Sequence, residues 1–237
     1  MKISVAHVPR QFAGAEPGAA VVMIDVFRAS TTIAAALAGG ARFVLPVTDV
    51  EQAVKLAEPY TENEVLLGGE RECERIEGFQ LGNSPREYTR EVVAGKVVIL
   101  TTTNGTQALA AAKDADTVLI GSFVNFSAVA DAVAGREAVT ILCAGNNGRL
   151  SLEDYACAGG LVNQLAKGQS RLDDAALAAR AAYRSLRTDL ARVLTSTEHA
   201  LRLAGLGFRT DLDFALKVDS LPVVPVMSEN RIATLPT

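Results

Sequence analysis

Asp25-Val26-Phe27-Arg28-Ala29-Ser30-Thr31-Thr32 sets an acid and an arginine three residues apart, between an apolar run and an Ala-rich stretch. Read as a strand end opening a helix, the segment offers exposed N–H groups and a positive dipole end to an anion, with Ser30 and Thr31 at the turn. Arg28 adds a bidentate donor suited to phosphate. Asp25 could hold Mg2+ or attack phosphorus. The plainer alternatives are a turn or cap residue for Asp25 and a surface ion pair for Arg28. Farther on, Thr101-Thr102-Thr103-Asn104-Gly105-Thr106 forms a similar turn with no carboxylate and no arginine. It is dense in hydroxyls, and Gly105 lets backbone approach a ligand closely. Asn104 with Gln107 also fits an ordinary helix cap, a role compatible with anion binding.

Glu70 closes the segment Glu64-Val65-Leu66-Leu67-Gly68-Gly69 and is a candidate Mg2+ ligand, since that ion takes one or two carboxylates plus waters and substrate oxygens. Ser84, Pro85 and Glu87 read as a capping box, which leaves Asn83 as the better functional candidate beside them. Cys143 and Arg149 have the C-x5-R spacing of a thiolate over a phosphate cradle, although a buried cysteine ending a core strand explains Cys143 equally. Ser151 caps a helix whose Glu153 and Asp154 either complement the dipole or reach a metal at the same edge. His7 and His199 form no motif. No dinucleotide fingerprint, P-loop, H-E-x-x-H or G-x-S-x-G occurs.

The elements that must position these residues repeat. Val21–Ala38 and Val97–Asp114 each read as four apolar strand residues, a polar turn and an Ala/Leu-rich helix, 76 residues apart. Two further strands match in turn, ending with Glu64–Gly69 beside Thr140–Gly145, so both copies read β-α-β-α-β. Near-continuous Val/Ile/Leu strands alternating with Ala-rich helices predict a mostly parallel sheet covered on both faces, an α/β fold. One compact domain over 1–237 is expected, with repeat halves at about 20–95 and 96–165. A helical C-terminal addition spans about 168–237. In it a helix is predicted from Asp173 to Leu194, and Val223–Val226 reads as a short strand whose Pro225 suggests an edge.

A net charge of −4 gives no general attraction to nucleic acid or an acidic membrane, so any anion site must be local. The content of 49% hydrophobic and 21% charged residues fits a buried globular chain rather than a disordered one. Three cysteines without CxxC spacing suit free thiols in a reducing compartment. Arg10 interrupts the start before a signal-peptide core could form, and no apolar run approaches the roughly 18 residues of a spanning helix. A cytoplasmic protein is expected.

The strings D-V-F-R-A-S-T-T, G-G-E-R, G-N-S-P, T-T-N-G-T, C-A-G and S-L-E-D, in this order, resemble the 2-phosphosulfolactate phosphatase (ComB-like) family. Glu198-His199, Gly205-Leu206-Gly207-Phe208, Asp211-Leu212, Asp219 and Val224-Pro225 continue the agreement, so the resemblance runs from about Val21 to Pro225. It implies a three-layer α/β/α fold, Mg2+ dependence and hydrolysis of a phosphate monoester. The family substrate is (2R)-2-phospho-3-sulfolactate, on the route to coenzyme M.

The expected mechanism sets Mg2+ on Asp25 and Glu70, with Asp154 as a further candidate ligand. Arg28, Ser30, Thr31, Asn83, Thr103, Asn104, Gly105 and Thr106 would surround the phosphoryl group of a small anionic ester. Arg71 and Arg149 are candidates for the substrate's other acid groups. Two rivals stand beside it: a cysteine phosphatase using Cys143 and Arg149, and a non-catalytic phosphometabolite-binding protein. A homodimer is left open. The architecture expected is two similar halves whose first turns, Asp25–Thr31 and Thr101–Thr106, line one pocket at a common sheet edge.

Overall fold

The apolar runs found in the sequence become strands because they can bury both of their faces. The structure is a computed structural model and describes residues 1–235. Its strands are β1 (Lys2–Ala6), β2 (Ala20–Ile24), β3 (Phe43–Val47), β4 (Val65–Arg71), β5 (Glu74–Arg75), β6 (Val97–Thr101), β7 (Thr117–Gly121), β8 (Ala138–Cys143), β9 (Arg171–Leu172), β10 (Pro225–Ser228) and β11 (Arg231–Thr234). The helices are α1 (Ala29–Ala38), α2 (Val50–Ala57), α3 (Arg90–Val93), α4 (Gly105–Ala112), α5 (Phe126–Val133), α6 (Leu152–Leu165), α7 (Asp174–Leu186), α8 (Leu190–Leu194), α9 (Glu198–Gly205) and α10 (Arg209–Ala215).

One mixed sheet runs in the order β5-β4-β6-β3-β11-β10-β7-β2-β8-β1-β9. Strands β4, β6 and β3 are mutually parallel, as are β7, β2, β8 and β1. The antiparallel hairpin β10–β11 joins these two blocks through antiparallel pairings on both sides. Three successive antiparallel steps make the blocks run in opposite directions. Each block also takes its middle strand from the other copy of the sequence repeat. β6 lies between β4 and β3, and β2 lies between β7 and β8. The two βαβαβ copies thus interleave within one sheet. A strand that is apolar on both faces pairs equally well with neighbours from either copy.

Alternation along the strands builds the layers. In β2, Val22 and Ile24 join Ile141 of β8, Phe126 of α5 and Leu161 of α6 in one core. Val21 and Met23 face the other way, into a second core with Ile33 of α1 and Leu109 of α4. Val98 and Leu100 of β6 enter that same second core, while Val97 and Ile99 meet Ala53 of α2 on the outer side. Helices α1 and α4 therefore pack against both strand blocks, and the sheet curls around them. Helices cover both faces, so the protein is α/β with a three-layer α/β/α arrangement. Ala29 through Leu37 of α1 are all buried, which its Ala, Ser and Thr content permits at close range.

Two expectations are corrected. Pro225 begins β10 in the middle of the sheet rather than at an edge. The β7 partners are Val226 and Met227, so the missing Pro225 N–H interrupts no bond to β7. The helix expected from Asp173 to Leu194 is two helices, α7 and α8, parted at Arg187–Asp189. Thr188 and Asp189, both weak helix formers, sit at the break.

Candidate active site

The opposed blocks bring two sets of strand ends together through the curl of the sheet, not along one straight edge. At the contact, a Cβ built on Gly105 would lie 2.5 Å from Ala29 Cβ and 2.7 Å from Asp25 Oδ2. Only glycine lets the first turns of α1 and α4 approach this closely. Between them is a cleft. It is lined by Asp25, Phe27, Arg28, Glu70, Glu72, Cys73, Asn83, Thr102, Thr103, Asn104, Asn146, Asn147, His199 and Arg202.

Asp25 follows β2 directly. Its Oδ1 accepts the Ala29 N–H (3.2 Å), and its own N–H donates to Ser30 Oγ (2.9 Å). The start of α1 thus serves Asp25 itself. Burial raises the Asp25 carboxyl to about 6, with the His199 charge and the Ala29 N–H acting against it and Glu70 and Glu153 adding to it.

Arg28 is locked in place. Its Nη1 donates to Asp211 Oδ2 (3.2 Å), its Nη2 to the Cys73 carbonyl (2.8 Å), and its guanidinium lies 4.2 Å from the centre of the Phe208 ring. Asp211 Oδ1 in turn accepts the Ser84 hydroxyl (2.8 Å). Glu70 is held by two backbone donors, Thr103 N–H to Oε1 (2.7 Å) and Cys73 N–H to Oε2 (2.8 Å).

His199 on α9 completes the cations. Its Nδ1 lies 3.0 Å from Glu153 Oε1. Burial alone would lower the imidazole, but hydrogen bonding with Cys73 and Glu153 and the charges of Glu153 and Asp25 outweigh it and raise it to about 10. At neutral pH the cleft therefore holds an imidazolium facing a carboxylate.

Of the residues singled out in the sequence, the structure places Asp25, Arg28, Glu70, Asn83, Thr103 and Asn104 on the cleft. Others are committed elsewhere. Ser30 and Thr31 are wholly buried, Thr31 Oγ1 donating to the Val26 carbonyl and meeting Ser122 Oγ (2.8 Å). Thr106 Oγ1 donates to the Thr102 carbonyl (2.6 Å), closing the first turn of α4. Gly105 contributes close approach of the two turns.

The cysteine phosphatase is corrected outright. Cys143, at the end of β8 beside β2, is wholly buried in the core, and burial, with Asp154 and Cys157 nearby, pushes its thiol well above the ordinary range. Arg149 lines a neighbouring hollow with Leu150 and Thr197, not this cleft. Asp154 does not line the cleft. Its Oδ1 accepts the Val26 N–H (2.8 Å) and its Oδ2 the Gly145 N–H (3.1 Å), so it ties the ends of β2 and β8 together. The capping box at Ser84 is also absent. Ser84 donates to Asp211, and Glu87 Oε2 accepts the Gly82 N–H (2.6 Å).

Sequence reasoning missed five contributors, Arg202 among them. His199 and Asp211 stand in the C-terminal segments that carry the resemblance, but without a local motif to give them a role. Glu72 and Cys73 form a two-residue turn between β4 and β5, with φ of 54° and 73°, where Asn-Gly is the usual signal.

Among the described residues, no three His, Cys, Asp or Glu side chains converge as metal ligands. Mg2+ needs fewer. Beside the Asp25 and Glu70 carboxylates, the buried Asn83 Oδ1 and Thr103 Oγ1 have no hydrogen-bond partner. Hard oxygens without donors, next to two acids, fit a hard cation.

The fold and this cleft define an α/β protein with buried acids and cations facing one another between two strand blocks. The sequence model of the 2-phosphosulpholactate phosphatase family matches residues 6–230, and the chain belongs to that family of phosphoric monoester hydrolases. A protein of Thermotoga petrophila named "Probable 2-phosphosulfolactate phosphatase" is 40% identical over 87% of this chain and 88% of its own length. Relatives with the same name are 40% identical in Symbiobacterium thermophilum, over 92% of this chain and 95% of theirs, and 37% identical in Clostridium acetobutylicum, over 89% and 90%. No helix among the described residues is long and apolar enough to cross a membrane.

Proposed function

We propose that this protein is an Mg2+-dependent phosphatase that hydrolyses 2-phosphosulfolactate to sulfolactate and phosphate. The observation that carries it is the single cleft in which buried Asp25 and Glu70 face Arg28, His199 and Arg202. Family membership and the shared name of the relatives support the substrate.

Phosphoryl transfer is governed by positioning and charge stabilisation. Arg28 arrives already oriented, because Asp211 and the Cys73 carbonyl occupy two of its donors and leave the rest for phosphoryl oxygens. Asp25 and His199 titrate on opposite sides of neutrality, so one is a carboxylate while the other holds a proton, a division that suits a base or nucleophile and an acid. As nucleophile, an Asp25 oxygen attacks phosphorus, the ester P–O bond breaks, and the leaving alkoxide takes a proton from the imidazolium. Water then releases phosphate from the aspartyl phosphate. Asp25, Glu70 and Asn83 Oδ1 would hold Mg2+, which supplies positive charge to the phosphoryl oxygens when bound.

The test is phosphate release from 2-phosphosulfolactate with and without Mg2+. Turnover that needs the metal and stops on chelation is expected. Full activity in chelator overturns the metal assignment, and no release with Mg2+ present overturns the substrate. Rapid acid quench followed by hydroxylamine separates the two uses of Asp25, since an acyl phosphate is trapped only when Asp25 is the nucleophile.

A further inference from the structure

The cleft contains three cations, and their partners differ. Arg28 pairs with Asp211 where both side chains are only 2% exposed. His199 pairs with Glu153, itself 2% exposed. Arg202 on α9 pairs at the rim with Glu72, and there the side chains are 46% and 82% exposed. The distances do not separate these pairs, since Arg202 Nη2 lies 2.6 Å from Glu72 Oε2. Solvent does. A buried partner cannot leave without abandoning a charge in a low dielectric, whereas an exposed pair is weak and its acid can turn into water.

The Glu72 backbone, by contrast, cannot move easily. Glu72 and Cys73 make the two-residue turn of the β4–β5 hairpin with both φ values positive. Cys73 fastens that turn from both sides, its N–H to Glu70 and its carbonyl to Arg28. The Glu72 side chain alone is left exposed, at the mouth of the cleft.

We propose that Arg202 is the specificity-determining residue for a second acid group, the sulfonate remote from the phosphoryl, and that Glu72 holds Arg202 until that group displaces it. The proposal rests on the phosphatase reading above and says how the same site tells a sulfonate ester from a simple one. The substrate carries a carboxylate and a sulfonate besides the phosphoryl group, so it needs a cation not consumed by the reacting end. Other arginines are not available. Arg71 is a strut, its Nη1 on the Glu70 carbonyl and its Nη2 on the Thr48 carbonyl and Thr101 Oγ1. Arg149 lies outside the cleft. An ester without the sulfonate leaves the Arg202–Glu72 pair closed and gains nothing from it. A sulfonate ester exchanges one weak pair for a better-placed one.

The test compares 2-phosphosulfolactate with 2-phospholactate, which lacks only the sulfonate, on the full-length wild type, Arg202→Gln and Glu72→Gln. Arg202→Gln should raise KM for the sulfonate ester about tenfold more than KM for 2-phospholactate, the size expected for one charge-assisted contact. Glu72→Gln should lower KM for the sulfonate ester, because the competing acid is gone. Equal changes for both esters in Arg202→Gln overturn the proposal. Calorimetry with sulfolactate, which has no phosphate, supplies a readout independent of turnover. It should show binding about tenfold weaker in Arg202→Gln, and an unchanged Kd overturns the proposal as well. A wild type that releases no phosphate, yet binds sulfolactate through Arg202, would sink the phosphatase reading and leave the assignment of Arg202 standing.

Discussion

Arg28 Nη1 donates to Asp211 Oδ2 across 3.2 Å, 183 residues along the chain, with both side chains almost wholly buried. The pair joins the turn after β2 to α10, and Ser84 adds its hydroxyl to the same carboxylate. Removing one partner of a buried pair strands the other, at a cost of about 3–5 kcal/mol. Asp211→Ala should therefore lower unfolding free energy in urea by that order. Arg28→Lys should be milder in stability but damaging in catalysis. A lysine keeps the charge, yet it cannot serve Asp211, the Cys73 carbonyl and a phosphoryl group with one planar fork. A raised KM together with a lower kcat is the expected signature. Wild-type kinetics in Arg28→Lys would remove the fork from the mechanism.

Asp25→Asn separates activity from stability. Loss of the reacting carboxylate should cost at least about 100-fold in kcat, the scale of one electrostatic group at a reacting centre. Stability should move the other way. The folded carboxyl sits at about 6, above its ordinary 3.8, so the ionised form is held at a cost once pH exceeds the unfolded value. An uncharged amide avoids that cost, and Asp25→Asn should melt no lower than wild type at pH 8. A variant that keeps more than a tenth of the activity, or that unfolds, contradicts the role given to Asp25.

How far the sequence could see depends on the distance over which each signal acts. Asp25, Arg28 and Glu70 were legible because each follows an apolar strand, and a strand end in an α/β sheet is where ligands bind. The α/β class followed from the same runs. The exchange of β2 and β6 between blocks was not legible, because strands apolar on both faces carry no information about which neighbour they choose. Cys143 and Arg149 show the limit of spacing alone. Strand alternation turned the thiol into the core, while the loop carried Arg149 past the cleft. Asp154 had a plausible address at a helix start, but it lies off the cleft and ties β2 to β8 instead. His199 and Asp211 act from 174 and 186 residues beyond Asp25, and only packing reveals them.

His199 gives a pH-dependent prediction with a definite sign. Its folded value is raised to about 10 from an ordinary 6.5. The stabilisation from the imidazolium with Glu153 is then fully present below about pH 6.5 and is lost as pH rises through 10. Wild type should lose stability relative to His199→Gln between those limits, measured by urea unfolding of metal-free protein. Parallel curves across that range would show that the imidazolium contributes nothing to folding.

Gly105→Ala tests the meeting of the two turns on which the whole cleft depends. The added Cβ would fall 2.5 Å from Ala29 Cβ and 2.7 Å from Asp25 Oδ2, both inside any tolerated contact. Neither neighbour is the free end of a long side chain. Ala29 is fixed at the start of α1, and Asp25 is held by the Ala29 N–H and by Ser30. The turns must therefore part, and overpacking of this kind costs about 1–3 kcal/mol. A shift of that origin moves Asp25 relative to Glu70, because Glu70 is bonded to Thr103 on the α4 side. The expected outcome is a folded protein, slightly less stable, whose kcat falls by about tenfold or more through misplacement of the reacting groups. Ala29→Gly in the same chain relieves one contact but leaves the clash with Asp25, so it should recover part of the stability and little of the rate. If Gly105→Ala instead kept wild-type kcat, the two turns would not be fixed against each other, and a catalytic site shared between the two strand blocks would be untenable.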